Sequence, residues 1–430
     1  MESTGANHLR TKIGLSSLSR KSVVLILDGL GDLPVPALGG RTPLEAADTP
    51  VLNRLAGIGS YGLVDPVGPG TIPNTHSGCG ILMGILPADV HRLKRGPVEA
   101  SGAGRNLTTE EIALRANFAT LDRQAGGLRI LDRRAGRISS GTDELAARLR
   151  QVDLGDGVHG ELLPTDQHRC VVVLSGPGLD PAVTDTDPGD RGMPAFFKSC
   201  RPEAAGAELT ARKLDLFLEI ARDELAAHAV NLERQANGLM PANGVITRGA
   251  GRGFSLENVL DENGLSAAVV AGCNTVIGLT RTLGFECCTD PRFTADAKTD
   301  IDAKLSAALH ALERHDLAYV HIKAPDLFAH DHQPERKKVF LERTDQALEA
   351  VVRSGAMIML AADHSTDSNT GAHTADPVPV LLFDPESPAP DDSQPVNFGE
   401  AACAGGNMPR QSSHQLLLRL MSLMGKPAAR

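Results

Sequence analysis

The 430-residue chain predicts an α/β fold, a mostly parallel sheet covered by helices on both faces, with a smaller α+β region inserted in it. Three observations carry that expectation. Continuous apolar runs of strand length occur at residues 23–27 and 356–362, with a further strand at 318–322, and such runs suit parallel strands buried on both faces. Helical patterns alternate with those runs. Between residue 118 and about residue 240 the rhythm changes to short strands among polar loops, closed by a long helical pattern. The expected organisation is an arm at residues 1–20, a core from 21–116 and 244–430, and an inserted cap at 117–243.

The arm lacks the apolar centre of a signal peptide and reads as a mobile polar segment. The run V-V-L-I-L at 23–27 ends at Asp28, where the carboxyl end of a central strand is expected to carry chemistry. Residues 42–58 hold a helix, with Leu52, Leu55 and Ile58 on one face. The passage G-P-G-T-I-P-N-T-H-S-G-C-G at 68–80 precedes an apolar run at 81–86, which places Thr75 near a helix start. Backbone N–H groups there favour an anionic oxygen. Within the cap, Leu121, Ile130 and Leu131 with Arg133, Arg134 and Arg137 suggest short antiparallel strands, residues 170–174 another strand, and 208–235 the long helix. The core resumes with a strand at 244–247 followed by R-G-A-G, strands at 265–270 and 318–322, and a helix over 335–352. The strand at 356–362 empties into D-H-S-T-D-S-N-T-G-A-H-T-A-D-P-V-P at 363–379. A strand at 376–384, a surface loop at 385–395 and a helix at 415–424 complete the chain.

The formal charge of -10, with no block of Lys and Arg, argues against a nucleic-acid partner. No apolar stretch approaches a membrane span. Seven scattered Cys, free of any C-x-x-C pair, read as the reduced thiols of a cytoplasmic protein.

Asp363, His364 and His373 bring three metal donors into eleven residues after a strand end. Asp326 and His330 stand four apart, so a helical turn would point both at one ion. An isolated Asp-His pair is ordinarily a turn or cap, and the metal reading rests on the combination. With Asp28 and Thr75 the set holds seven donors, enough for two divalent ions with the Thr75 hydroxyl against one of them. Two such ions clamp the oxygens of a phosphoryl group and ease deprotonation of a hydroxyl nucleophile, so transfer through a phospho-threonine is expected. Cations available for an anionic substrate are Lys94, Arg95, Arg115, Arg248, Arg281 and Lys323, each ordinarily a solvated or structural charge. Arg248 and Lys323 are favoured because each follows a predicted strand, and Arg281 and His76 are carried beside them as substrate-binding candidates.

These segments carry a resemblance. The chain is similar to the archaeal-type cofactor-independent (2,3-bisphosphoglycerate-independent) phosphoglycerate mutases of the alkaline phosphatase superfamily, from about residue 22 to residue 425. The matching stretches include V-V-L-I-L-D-G-L-G-D, R-T-P-L-E-A-A-D-T-P, L-R-A-N-F-A-T, D-R-R-A-G-R-I, V-H-I-K-A-P-D, A-D-H-S-T and A-H-T-A-D-P-V-P. The resemblance implies an alkaline-phosphatase-like core and a cap closing over a small phosphorylated acid. It also implies manganese or zinc, one ion held by Asp326, His330 and His373 and the other by Asp28, Asp363 and His364, beside a nucleophile at Thr75.

Departures from the family pattern concentrate around the substrate. Thr75 stands where Ser is usual, Cys79 replaces a His or Asn, and Ser175 replaces an Arg whose bidentate grip it cannot reproduce. His76 replaces an acidic residue and is either a proton carrier or a surface His. The leading expectation is therefore a mutase-like isomerase acting on a phosphorylated or phosphonylated hydroxy acid. The alternatives are a phosphate ester or phosphonate hydrolase using the same site, and a non-catalytic metal-binding protein.

Overall fold

The computed structural model describes residues 20–189, 193, 195–253, 256–387 and 396–425. Residues 1–19 of the expected arm, and most of the loop expected at 385–395, lie outside the described residues. The chain forms two compact units, Met1–His91 with Leu256–Arg430, and Arg92–Ser255.

The first unit is built on an eight-stranded sheet, ordered Glu286–Cys288, Ala267–Val270, Leu317–Ile322, Ser22–Leu27, Met357–Ala361, Val378–Phe383, Ser60–Asp65 and Gln411–Ser412. Of these strands Val378–Phe383 runs against the rest, and the other pairings are parallel. The three central strands are buried at every residue, so both faces of the sheet are covered, as their largely apolar sequence requires. Helices Ile301–Ala311, Pro334–Ser354 and Pro50–Ile58 pack into one group, and Thr75–Leu82, Asn274–Thr282 and Ser413–Leu423 into another. The α/β class expected from the sequence is the one observed.

Register is what places the chemistry. Ile26 lies opposite His321 on one side and Ala361 on the other. The residues just beyond these strands, Asp28, Lys323 and Asp363, therefore leave the sheet at one level, and the Asp28 amide still donates to Ile322 O at 3.0 Å.

The helix expected over 42–58 is two helices, Pro43–Ala46 and Pro50–Ile58. Thr42 caps the first through a reciprocal bond with Glu45, and Pro50 opens the second, where its missing N–H costs nothing. The long helix expected over 208–235 likewise divides into Glu208–Ala226 and Ala229–Ala236, because the His228 ring accepts from Val230 N and starts a new helix.

The second unit carries an antiparallel sheet in the order Val152–Asp153, His159–Pro164, Arg169–Ser175, Ile112–Gln124, Gly127–Asp132 and Ala195–Phe196, with Gly244–Arg252 also paired to Ile112–Gln124. One face packs Leu114, Phe118, Val172 and Leu174 against Phe217 and Leu214 of the long helix. The other sets Ala113, Val171 and Val173 against Ala100 of helix Arg95–Gly102. The divide falls at 92 and 255 rather than at 117 and 243. Ile112–Gln124 and Gly244–Arg252 pair from Ile112 opposite Arg252 to Ala119 opposite Gly244, which draws the flanking chain on both sides into the unit. The R-G-A-G segment, expected to follow the strand at 244–247, is thus part of that strand.

Candidate active site

At the carboxyl ends of the central strands, six of the seven donors named from the sequence meet through close side-chain contacts. Asp28, Asp363 and His364 each offer a ligand atom within 4.8 Å of the others, and so do Asp326, His364 and His373. His330 joins the second group: its Nε2 is 3.3 Å from Asp326 Oδ1 and 3.3 Å from His373 Nε2. Helix Ala324–His330 makes this possible, since it puts Asp326 and His330 one turn apart on one face, as their spacing predicted. The hairpin Ser365–Asp367 with Ala372–Thr374 returns His373 onto His364, ring centroids 3.7 Å apart.

Hydrogen-bond partners fix the orientation of all three imidazoles. His330 Nδ1 lies 2.6 Å from Gly371 O and His373 Nδ1 lies 3.0 Å from Pro73 O, and a carbonyl can only accept, so each Nδ1 carries the proton. Thr366 gives its one hydroxyl proton to Asp326 Oδ1 at 2.8 Å and so accepts from His364 Nδ1 at 3.0 Å. Every Nε2 is left with its lone pair toward the acidic cluster, the arrangement second-shell partners impose on metal-binding histidines. Two further atoms fit a cation: Asp363 Oδ2 and His364 Nε2 are buried, face each other at 3.3 Å, and have no hydrogen-bond partner among the described residues. A buried carboxylate oxygen in that state is costly unless a cation meets it. The residues fit divalent metal.

The electrostatics are those of a site charged by its own residues. Burial opposes ionisation of Asp28, yet Lys323 and His321 hold its carboxyl well below the ordinary range. Asp326 is held down in the same way, chiefly by Lys323, against its own burial. Burial, then the charge of Asp28, pushes Asp363 up. Burial brings His364 down to about 4, whereas Asp326 more than offsets burial at His330 and raises it.

Thr75, the seventh donor, is the first residue of helix Thr75–Leu82, which Asn74 caps by accepting from Ser77 N while Ser77 Oγ accepts from Asn74 N. Thr75 Oγ1 accepts from Lys323 Nζ at 3.2 Å and donates toward Asp28 Oδ2 at 3.5 Å. Gly78 lets this helix lie directly on the Asp363 backbone, because a Cβ there would fall 2.0 Å from Asp363 O. Cys79 is fully buried one turn on, its thiol pushed up by burial and by Asp363 and Asp28. A buried thiol among carboxylates is not placed as a ligand for substrate hydroxyls.

The candidate substrate cations fall in different places. Lys323 is buried and bridges Asp28 Oδ1 at 2.8 Å and Asp326 Oδ2 at 2.7 Å, so it belongs to the metal cluster rather than to an open cradle. His76 is half-buried at the second position of the Thr75 helix. Arg281 is exposed in the last turn of helix Asn274–Thr282, near Cys287. Arg248 lies in the second unit, inside a strand, opposite Arg115. Arg115 is 4% exposed, and its Nε and Nη1 have no hydrogen-bond partner among the described residues. Burial, then Arg95, Arg248 and Arg169, drives its pKa well below the ordinary arginine value. The buried Glu99 carboxylate opposes that shift, and a further anion would stabilise the guanidinium. Ser175, where a family Arg is lacking, donates to Glu111 Oε1 at 2.8 Å, and Glu111 is also paired with Arg105.

Sequence reasoning missed His321 and Thr366. His321 Nε2 is 2.9 Å from Asp28 Oδ2, but the residue sits inside an apolar strand run and its partner is 293 positions away. Thr366 was within the A-D-H-S-T stretch, and only its position two residues after His364 hinted at a role.

Comparison with known proteins agrees with this geometry. The Metalloenzyme superfamily pattern matches residues 20–416. The 2,3-bisphosphoglycerate-independent phosphoglycerate mutase of Methanopyrus kandleri is 39% identical over 95% of this chain and 97% of its own. That of Methanoculleus marisnigri is 37% identical over 95% and 98%. Among solved structures, the cofactor-independent phosphoglycerate mutase of Thermoplasma acidophilum superposes with a TM-score of 0.63 at 31% identity, covering 94% of this chain and 100% of that one. A Pyrococcus horikoshii protein reaches a TM-score of 0.78 at 28% identity, over 96% and 99%. With its fold, its acidic and imidazole cluster and its near full-length relatives in accord, the chain belongs to the metal-dependent 2,3-bisphosphoglycerate-independent phosphoglycerate mutase family, within the Metalloenzyme superfamily.

Proposed function

We propose that this chain isomerises a small phosphorylated hydroxy acid, 3- to 2-phosphoglycerate or a close phosphorylated or phosphonylated relative, by passing the phosphoryl group through Thr75. The observation that carries the reading is the position of Thr75 Oγ1, between Lys323 Nζ and Asp28 Oδ2 at the start of a capped helix. Two divalent ions, Mn2+ or Zn2+, held by Asp28, Asp363 and His364 and by Asp326, His330 and His373, would neutralise the phosphoryl oxygens and ease deprotonation of the Thr75 hydroxyl.

In the first step Thr75 Oγ attacks phosphorus, the Oγ–P bond forms, and the bond from phosphorus to the substrate oxygen breaks. The hydroxyl hydrogen points toward Asp28, and in the balance of the step that proton ends on the departing substrate oxygen. Lys323 donates to Oγ1 and so stabilises the oxygen both when it attacks and when it leaves. In the second step the oxygen of a different hydroxyl of the same acid attacks phosphorus, the Oγ–P bond breaks, and that hydroxyl's proton ends on Oγ, restoring Thr75. The positive end of the helix favours the phosphoryl oxygens, although its Ser77 amide is already bonded to Asn74 Oδ1. Within the second unit by itself, Arg115 and Arg248 lie opposite each other on paired strands, a pair of charges suited to an anion.

The test is phosphorus NMR of the Mn2+-loaded protein with 3-phosphoglycerate. Appearance of the 2-phosphoglycerate resonance supports the proposal. Free phosphate would place the protein among hydrolases, and an unchanged spectrum with phosphate esters and phosphonates alike would leave it a metal-binding protein.

A further inference from the structure

Asp28 is held at two levels. Its backbone is fixed by the amide bond to Ile322 O, and its carboxylate is met from below by the side chain of the preceding residue on that strand, His321, with Nε2 2.9 Å from Oδ2. An ionised carboxylate only accepts, so Nε2 carries the proton and donates. The other oxygen, Oδ1, faces His364 Nε2 at 3.3 Å and Lys323 Nζ at 2.8 Å, on the side of the metal cluster.

We propose that His321 is a positioning residue that captures Oδ2 of Asp28 and so commits Oδ1 to the metal centre. This rests on the reading of Asp28 as a metal ligand. A role as core filler does not account for the choice of residue. His321 is fully buried, and its Nδ1 has no hydrogen-bond partner among the described residues. Burying an unpaired ring nitrogen is unfavourable, and an aliphatic side chain of similar volume would avoid it. What offsets the loss is the one bond the ring does make, to Asp28. The residue is also anchored from outside the sheet: Lys304 Nζ, itself buried, reaches from helix Ile301–Ala311 and donates to His321 O at 2.8 Å. A carboxylate free to rotate would offer either oxygen, or both, to an ion. One pinned by His321 offers a single oxygen in one direction, and such outer-shell partners typically carry about 10- to 100-fold in metal affinity.

The experiment is titration of Mn2+ into metal-stripped protein, following free Mn2+ by electron paramagnetic resonance, for wild type, Asp28→Asn, His321→Leu, His321→Gln and His321→Asn. Asp28→Asn identifies the binding step in which Asp28 takes part. His321→Leu is expected to weaken that step by about 10- to 100-fold and leave any other step unchanged. His321→Gln, whose amide nitrogen reaches the former Nε2 position, is expected to retain most of the affinity, and the shorter His321→Asn to lose it. Should His321→Leu not fold, the Gln and Asn pair carries the comparison. Equal affinities in Gln, Asn and wild type would overturn the proposal, as would a uniform weakening of every step in both amides, the mark of a packing role. Unchanged Mn2+ binding in Asp28→Asn would overturn the ligand reading itself, whatever the His321 variants do.

Discussion

Replacing Gly78 by Ala should cost activity far out of proportion to the size of a methyl group. The Cβ would lie 2.0 Å from Asp363 O and 2.7 Å from Asp363 C and Cα, all of them backbone atoms that no rotamer change can move away. The helix and the Asp363 strand end must part by about 1 Å before the contact is tolerable, and a misplacement of about 1 Å costs on the order of 100-fold in rate. Thr75 rides on that helix and Asp363 on that strand end, so the proposed nucleophile and the proposed metal ligand separate directly. Stability should fall by about 1–3 kcal/mol, the usual cost of overpacking, leaving the protein folded. The assay is kcat at saturating Mn2+ and substrate, with Gly405→Ala as control, since a Cβ at Gly405 meets only Ala402 O at 3.9 Å. A folded Gly78→Ala protein with wild-type kcat would refute the claim that this contact sets the position of Thr75.

Three further predictions concern the rest of the molecule. In the second unit, Arg133 Nε and Nη2 grip Asp187 Oδ1 and Oδ2 at 2.6 and 2.7 Å in a buried pair, so Arg133→Ala should lose about 3–5 kcal/mol in urea unfolding, while a paired Arg133→Met, Asp187→Leu change should recover most of it. Burial lifts Glu400, whose Oε2 accepts from Thr42 Oγ1, from 4.5 to about 7; the folded chain then binds the extra proton, and stability should fall as pH rises through that window. Glu400→Gln should flatten the melting temperature across the same range, and an unchanged slope would contradict the assignment. Inorganic phosphate should raise the melting temperature of the wild type and fail to do so in Arg115→Met, and equal stabilisation of both would show that Arg115 is not part of an anion site.

How much of this was legible in the sequence depends on how far apart the interacting residues are. Strand ends announce themselves, because an apolar run that stops at Asp28 or before Asp363 marks both the element and the place where polar chemistry can begin. Short-range geometry was equally readable: Asp326 and His330 share a helical turn, and His373 returns over His364 across a short hairpin. His321 was not readable, since a buried, largely apolar strand gives no sign that one of its residues faces a carboxylate 293 positions earlier. The same limit hid the pairing of Arg115 with Arg248, which become neighbours only through antiparallel register across the second sheet. Local breaks were missed for a different reason. Apolar periodicity continues through residues 42–58 and 208–235, and it is capping, by Pro50 with its preset φ and by the His228 ring, that divides each into two helices. The unit boundary moved for a reason of pairing, because a strand belongs with its partner along its whole length.

The central claim is that Thr75 carries the phosphoryl group, and mass spectrometry of acid-quenched, Mn2+-loaded protein after brief exposure to 3-phosphoglycerate tests it most directly. The account predicts one phosphate on the peptide containing Thr75, absent from Thr75→Ala and restored in Thr75→Ser. Phosphate mapping to Ser77 or His76, or full turnover by Thr75→Ala, would contradict it.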